Sequence, residues 1–294
     1  MQRGLRILRR RDWRLWSALV GAIAVGVAIT VSMGAAPARE EAAGAGSSRA
    51  CASARGVKPT VVLVHGAWAD TSSWAGEVAA LQRAGYAARA IGNPVQNLTS
   101  DAAQIAAFLR SVHGPVVLVG HSYGGAVITN AAAGLANVKA LVYVDAAMPA
   151  PGEMNKQLSG TTSVLETMAP SRLFQTVGSG PGTELYLTRE TFVSHFAADL
   201  PLARAEALWA AQRGASPDAF ATRSLAAAWR AIPSWAFIST GDQIITPASE
   251  AAMARRAGAR VTVFRGGSHL TLISHPDAVT QVIEQAICSV RSRL

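Results

Sequence analysis

The chain has 294 residues, half of them apolar and 15% charged, with 27 Lys and Arg against 18 Asp and Glu. Such a composition supports a sizeable core and excludes an intrinsically disordered chain. The formal charge of +9 does not mark a nucleic-acid binder: residues 1–16 hold six arginines against one aspartate, and the remaining positive charge is scattered, with no basic run among aromatics.

After the Arg-rich start, residues 17–38 carry no charge and include LVGAIAVGVAITV. They end in Ala36-Pro37-Ala38, an A-x-A pattern of the kind cut by signal peptidase. Residues 1–38 are therefore expected to be a signal peptide, and the protein to be exported: secreted, periplasmic or at the cell surface. Residues 17–36 also approach the roughly 20 residues needed to span a bilayer. An N-terminal membrane anchor with the domain outside is the alternative, and both readings leave the arginines inside. Residues 39–57 are rich in Ala, Gly and Ser, lack apolar periodicity and are expected to form a flexible linker.

From Lys58 short apolar runs alternate with amphipathic stretches. The runs Thr60–Val64, Tyr86–Ile91, Val116–Val119, Ala140–Val144, Ser234–Ser239 and Arg260–Phe264 predict strands. Most are near-continuously apolar, as parallel strands buried on both faces are. Helices are predicted over Ser73–Ala84, Asp101–Val112, Tyr123–Leu135, Ala248–Ala257 and Pro276–Val290, with Thr99 or Ser100 capping the second. This alternation predicts a doubly wound, mostly parallel α/β sheet over residues 58–294. Residues 149–231 break the rhythm. They hold no good strand, only helical pieces such as Arg189–Ala198 and Pro201–Arg213, and are expected to form a helical cap.

Chemistry concentrates in four places. VVLVGHSYGGAV, residues 116–127, runs from an apolar strand into Gly120-His121-Ser122-Tyr123-Gly124 and on into a small-residue helix. This G-x-S-x-G match in a strand–turn–helix context makes Ser122 the candidate nucleophile. The tetrahedral oxyanion of acyl transfer needs two preorganised N–H donors. Tyr123, following the nucleophile, offers one, and the turn after His65-Gly66, at Ala67, offers the other. A serine also needs a general base. Of six histidines, His65 and His121 belong to the two turns, His113 reads as a surface helix end and His195 lies in the cap. His269, on a Gly-rich loop at the carboxyl end of the last strand, is favoured over His275, which precedes Pro276 at a helix start. The orienting acid should lie just beyond a strand, and Asp242 and Asp145 both qualify.

GHSYGG, HGAW, the GDQIITP loop and the late GGSHLTLISHP together resemble the α/β-hydrolase superfamily. The resemblance is greatest to the methylesterase and hydroxynitrile-lyase subgroup and its bacterial esterase relatives. It covers residues 58–294 and implies an α/β-hydrolase fold that begins at the family's third strand. It also implies Asp242 as the acid and His269 as the base. The lyases place a Lys directly after the catalytic His, and some a Thr after the His of the oxyanion loop. Leu270 and Gly66 stand at those positions here, which favours an esterase.

The expectation is a serine hydrolase acting on a small, hydrophobic carboxylic ester through Ser122, His269 and Asp242, with no metal or organic cofactor. Amide, lactone or carbon–carbon bond hydrolysis on the same scaffold, or ligand binding without turnover, are the alternatives. Leu185, Phe192, Phe196, Leu208 and Trp209 of the cap either face the substrate or pack the cap on the body. Cys51 and Cys288 are expected to form a disulfide. Cys288 lies off the apolar face of its helix, made by Val279, Val282, Ile283, Ala286, Ile287 and Val290.

Overall fold

The computed structural model describes residues 57–293. The expected signal segment or anchor and Cys51 lie outside the described residues, as does all of the linker except Val57. Among the described residues no helix is long and apolar enough to cross a membrane.

Six parallel strands form the central sheet: β1 (Thr60–Val64), β2 (Ala88–Ile91), β3 (Val116–His121), β4 (Val138–Val144), β7 (Ser234–Ser239) and β8 (Arg260–Phe264), in the order β2-β1-β3-β4-β7-β8. β1, β3, β4 and β7 are almost wholly buried, because helices cover both faces of a parallel sheet. The crossover helices are α1 (Ala75–Arg83), α2 (Leu98–Arg110), α3 (Tyr123–Ala131) and α5 (Pro247–Arg256); α4 (Leu202–Ala210) lies in the insertion and α6 (Pro276–Arg291) follows the last strand. The chain is thus a mostly parallel α/β sheet flanked by helices, as the strand–helix alternation predicts.

Several details differ from the sequence reading. Helix α2 begins at Leu98, not Asp101. Its cap is Asn97, whose side chain accepts from the Thr99 N–H, in place of Thr99 or Ser100. Residues 149–231 do contain strands: β5 (Phe174–Val177) and β6 (Glu184–Leu187) pair antiparallel. The expected Arg189–Ala198 helix is one turn, Arg189–Thr191, continued as a wider π-type turn over Phe192–Phe196. All six apolar positions named on α6 are buried. Cys288 does not point away from the core: it is half-buried and packs against it. Cys288 is disulfide-bonded; Cys51, the chain's other cysteine, lies outside the described residues.

Candidate active site

The site forms at the carboxyl ends of the strands, where crossovers leave loops free to converge. Strand β3 stops at His121 and α3 starts at Tyr123, so Ser122 must make the whole turn. Its backbone is held at φ 54° and ψ −126°, a strained conformation for a residue with a side chain. Glycines relieve the crowding around it. A Cβ on Gly120 would stand 2.6 Å from the Gly124 carbonyl oxygen, and one on Gly124 would stand 2.5 Å from that of Val64.

His269 follows β8 on the Gly266-Gly267-Ser268 loop. Its Nε2 lies 2.7 Å from Ser122 Oγ and its Nδ1 2.6 Å from Asp242 Oδ2. With Nδ1–H donating to the carboxylate, Nε2 is left to accept the serine proton. Asp242 is fixed in turn: its Oδ1 accepts the N–H groups of Ile244 (2.7 Å) and Ile245 (3.1 Å). Asp145, the other candidate acid, faces elsewhere, its oxygens accepting from Ser239 N (2.7 Å) and Ser239 Oγ (2.9 Å). His275 is exposed and lies 3.8 Å from Asp199. His195 meets Gln243 at 2.7 Å, and His113 is exposed.

His65 and His121 brace the two turns. The Asn93 N–H donates to His65 Nε2 at 2.9 Å, so Nδ1 carries the proton and donates to the Gly66 carbonyl at 2.8 Å. His121 Nε2–H donates to the His269 carbonyl at 2.8 Å, tying the His269 loop to the end of β3. Burial lowers the pKa of both, so both rings are neutral near pH 7.

Burial also pushes the His269 imidazole down to about 3, which leaves it neutral near pH 7, the form in which an imidazole can accept a proton. It pushes the Asp242 carboxyl up, against the opposing pull of the Ile244 and Ile245 N–H groups. The turn bearing Ala67 packs directly on Ser122, for a Cβ on Gly66 would lie 2.6 Å from the Ser122 Cβ. Tyr123 opens α3, so its N–H has no carbonyl one turn earlier to bond and faces out of the helix end.

Ser122 opens on a cavity of about 290 Å³ whose walls include Trp68, Leu165, Phe174, Leu185, Phe220 and Ile244. Trp68 organises the aromatic wall, stacking on Phe174 (5.8 Å) and Phe220 (5.4 Å). Its indole N–H donates to the Leu185 carbonyl at 2.9 Å. Of the five apolar residues named in the insertion, Leu185 alone lines this cavity. Phe192, Phe196 and Leu208 line a separate hollow of about 40 Å³, and Phe196 also covers the His269 ring at 5.1 Å. Trp209 donates to the Leu187 carbonyl at 3.1 Å within the insertion.

Sequence reasoning passed over two residues. Trp68 stands in HGAW beside Ala67, and its left-handed φ of 57° leaves no sequence signature in a residue that is not glycine. Glu250 is buried on α5 with Met253 and Ala254, and that i, i+3, i+4 spacing could have placed it inside. Among the described residues, Asp145, Asp242 and Glu250 bring three carboxylates close enough to hold an ion.

The model of the alpha/beta hydrolase family matches residues 61–282. A carbendazim hydrolyzing esterase from Nocardioides sp. (strain SG-4G) is 36% identical over 106 residues, 31% of this chain and 43% of that protein. The match therefore spans less than half of that relative's length. Polyneuridine aldehyde esterase superimposes with a TM-score of 0.66 at 19% identity, over 77% of this chain and 98% of that one. An extracellular alpha/beta-hydrolase from a Paenibacillus species does so with a TM-score of 0.65 at 20% identity, over 78% and 98%. These likenesses agree with the resemblance carried by the four motifs. Because the matched family segment takes in the strained serine turn, the acid loop and the histidine loop alike, the chain belongs to the alpha/beta hydrolase family.

Proposed function

We propose that the protein is a serine hydrolase that cleaves carboxylic esters through an acyl-enzyme. The observation that carries this reading is the continuous hydrogen-bonded line from Ser122 Oγ through His269 to Asp242, ending at an apolar cavity. His269 takes the Ser122 proton as Oγ attacks the ester carbonyl. Asp242 stabilises the imidazolium that forms, and the N–H groups of Ala67 and Tyr123 receive the oxyanion. The same proton passes to the departing alcohol. Water, deprotonated by His269, then releases the acid from Ser122.

The cavity favours small to medium hydrophobic esters, and its aromatic wall suits a flat acyl or alcohol group. The curated relative is named for carbendazim hydrolysis, so carbamate esters belong among the substrates tried. Leu270 after the histidine offers no charge to a departing cyanide, which supports hydrolysis over lyase chemistry. Export by way of residues 1–38, cleaved or retained as an anchor, completes the reading; N-terminal sequencing of protein recovered outside the cell tests it.

The decisive experiment offers acyl esters, carbamates, amides and lactones to wild type and Ser122→Ala. Ester turnover is expected in wild type, with a loss of several orders of magnitude in the variant. A fluorophosphonate should label only wild type. Labelling of the variant, or ester turnover retained above about a tenth of wild type, overturns the assignment.

A further inference from the structure

Behind Asp242 lies a dry cluster of acids. Asp145, Asp242 and Glu250 each bring a carboxylate oxygen within 4.8 Å of the other two, and their exposures are 0%, 4% and 2%. They arrive from three elements: the end of β4, the loop after β7 and the first turn of α5. Donors are shared unequally among them. Asp242 receives two backbone N–H groups and faces the His269 ring. Asp145 receives one backbone N–H and the Ser239 hydroxyl. Glu250 receives nothing, and both of its oxygens are buried without a partner.

The surrounding charges sharpen the problem. Among the described residues, the charges acting on Glu250 are those of the Asp145 and Asp242 carboxylates. Asp199 adds a further negative charge acting on Asp145. His269 reaches the cluster only through Asp242. Three adjacent anions in a dry site repel one another strongly, and an unpaired buried carboxylate is costly. The member that no donor stabilises is the one that gives up its charge.

We propose that Glu250 is a neutral carboxylic acid at physiological pH, and that its O–H turns toward the neighbouring Asp145 and Asp242 carboxylates behind His269 as the donor their cluster otherwise lacks. Glu250 is thus a positioning residue: it lets Asp242 carry the negative charge that faces His269 without a third anion beside it. Burial pushes all three carboxyls well above the usual range, and Glu250 is singled out among them because no N–H or O–H reaches its oxygens. The catalytic part of the proposal rests on the triad reading above. The protonation does not.

The test uses the full chain in a Glu77→Gln background, which removes another buried acid. Infrared spectra at pH 7 in D₂O should show the C=O stretch of a protonated carboxylic acid, lost in Glu250→Gln. In ester kinetics, Glu250→Gln should keep kcat within about twofold, because the amide N–H replaces the O–H. Glu250→Leu, which has no donor, should lose about tenfold in kcat with KM nearly unchanged. Absence of the acid band overturns the proposal even if Ser122 proves not to be the nucleophile, and should Glu250→Gln fail to fold, the difference spectrum against Glu250→Leu assigns the band. Equal kinetic damage in the Gln and Leu variants overturns the positioning role. A rise in Tm with calcium in the Glu250-containing protein but not in Glu250→Gln would make the cluster a cation site instead.

Discussion

Gly66 lies directly against Ser122. A Cβ on residue 66 would stand 2.6 Å from the serine Cβ and 3.0 Å from the His121 carbonyl oxygen, so the turn carrying Ala67 and the nucleophile are fitted to each other through the absence of a side chain. Gly66→Ala is expected to displace one of them. Since a shift of about 1 Å costs about 100-fold in rate, kcat/KM for an ester should fall by about that factor. Circular dichroism should show the fold retained. Near-wild-type turnover would mean that the turn has no part in catalysis.

Asp242 and Asp145 offer a sharper comparison, because both are buried acids at strand ends but only Asp242 meets His269. Asp242→Asn would leave the histidine without its anionic partner and should lower kcat by about 10⁴, the scale known for a serine-protease triad. Asp145→Asn should cost about tenfold at most, since it touches Ser239 and the carboxylate cluster behind Asp242 but makes no contact with His269. Steady-state kinetics on the two variants decide the matter, and the reverse ranking would move the acid to the end of β4.

The pH profile follows from the burial of His269, which pushes its imidazole down to about 3. If the neutral ring is the base, as proposed, kcat/KM should hold as pH falls well below the ~6.5 of a free imidazole. Stability runs the other way. The unfolded chain takes up this proton below ~6.5, whereas the folded chain does so only near 3. Stability contributed by the neutral ring is therefore lost as pH drops through that window. Kinetics and circular dichroism at each pH separate the two effects. An acid limb near 6.5 with the protein still folded would contradict the buried base.

Glu77 on α1 is fully buried with neither oxygen partnered, and burial, with Asp277 adding repulsion, pushes its carboxyl up to about 9. The unfolded chain loses this proton near ~4.3, so folding is progressively penalised as pH rises from there towards 9. Glu77→Gln removes the penalty. Its Tm should exceed that of wild type at pH 8, by about 2–4 °C per kcal/mol gained, and the advantage should vanish near pH 4. A variant equal to wild type at both pH values would show that Glu77 ionises freely.

Strands β1, β3, β4 and β7 were legible because a strand buried on both faces needs no alternation: TVVLV or VVLV is its whole signature. The turn at Ser122 was legible because only small residues allow it. The β5–β6 hairpin was not. Gln175, Thr176 and Val177 all face solvent, so no apolar pattern marks them. The buried carboxylates escaped for the opposite reason. In PASEAAMARR a glutamate reads as part of a wet face, and only its spacing to Met253 and Ala254 contradicts that. Nor could the sequence choose between Asp145 and Asp242 without the resemblance, since both follow apolar strands and only the path of the loop after β7 brings one of them to His269.

The cavity wall has a further meaning. Apart from Trp68, Ser122, Ile244 and Ile245, every residue that lines it belongs to the insertion between β4 and β7. The proposed catalytic groups Ser122, Asp242 and His269 follow strands of the sheet, whereas most of the cavity surface comes from one continuous stretch of the chain. On the proposed reading, substitutions within residues 149–231 can reshape most of the cavity while Ser122, Asp242 and His269 keep their places.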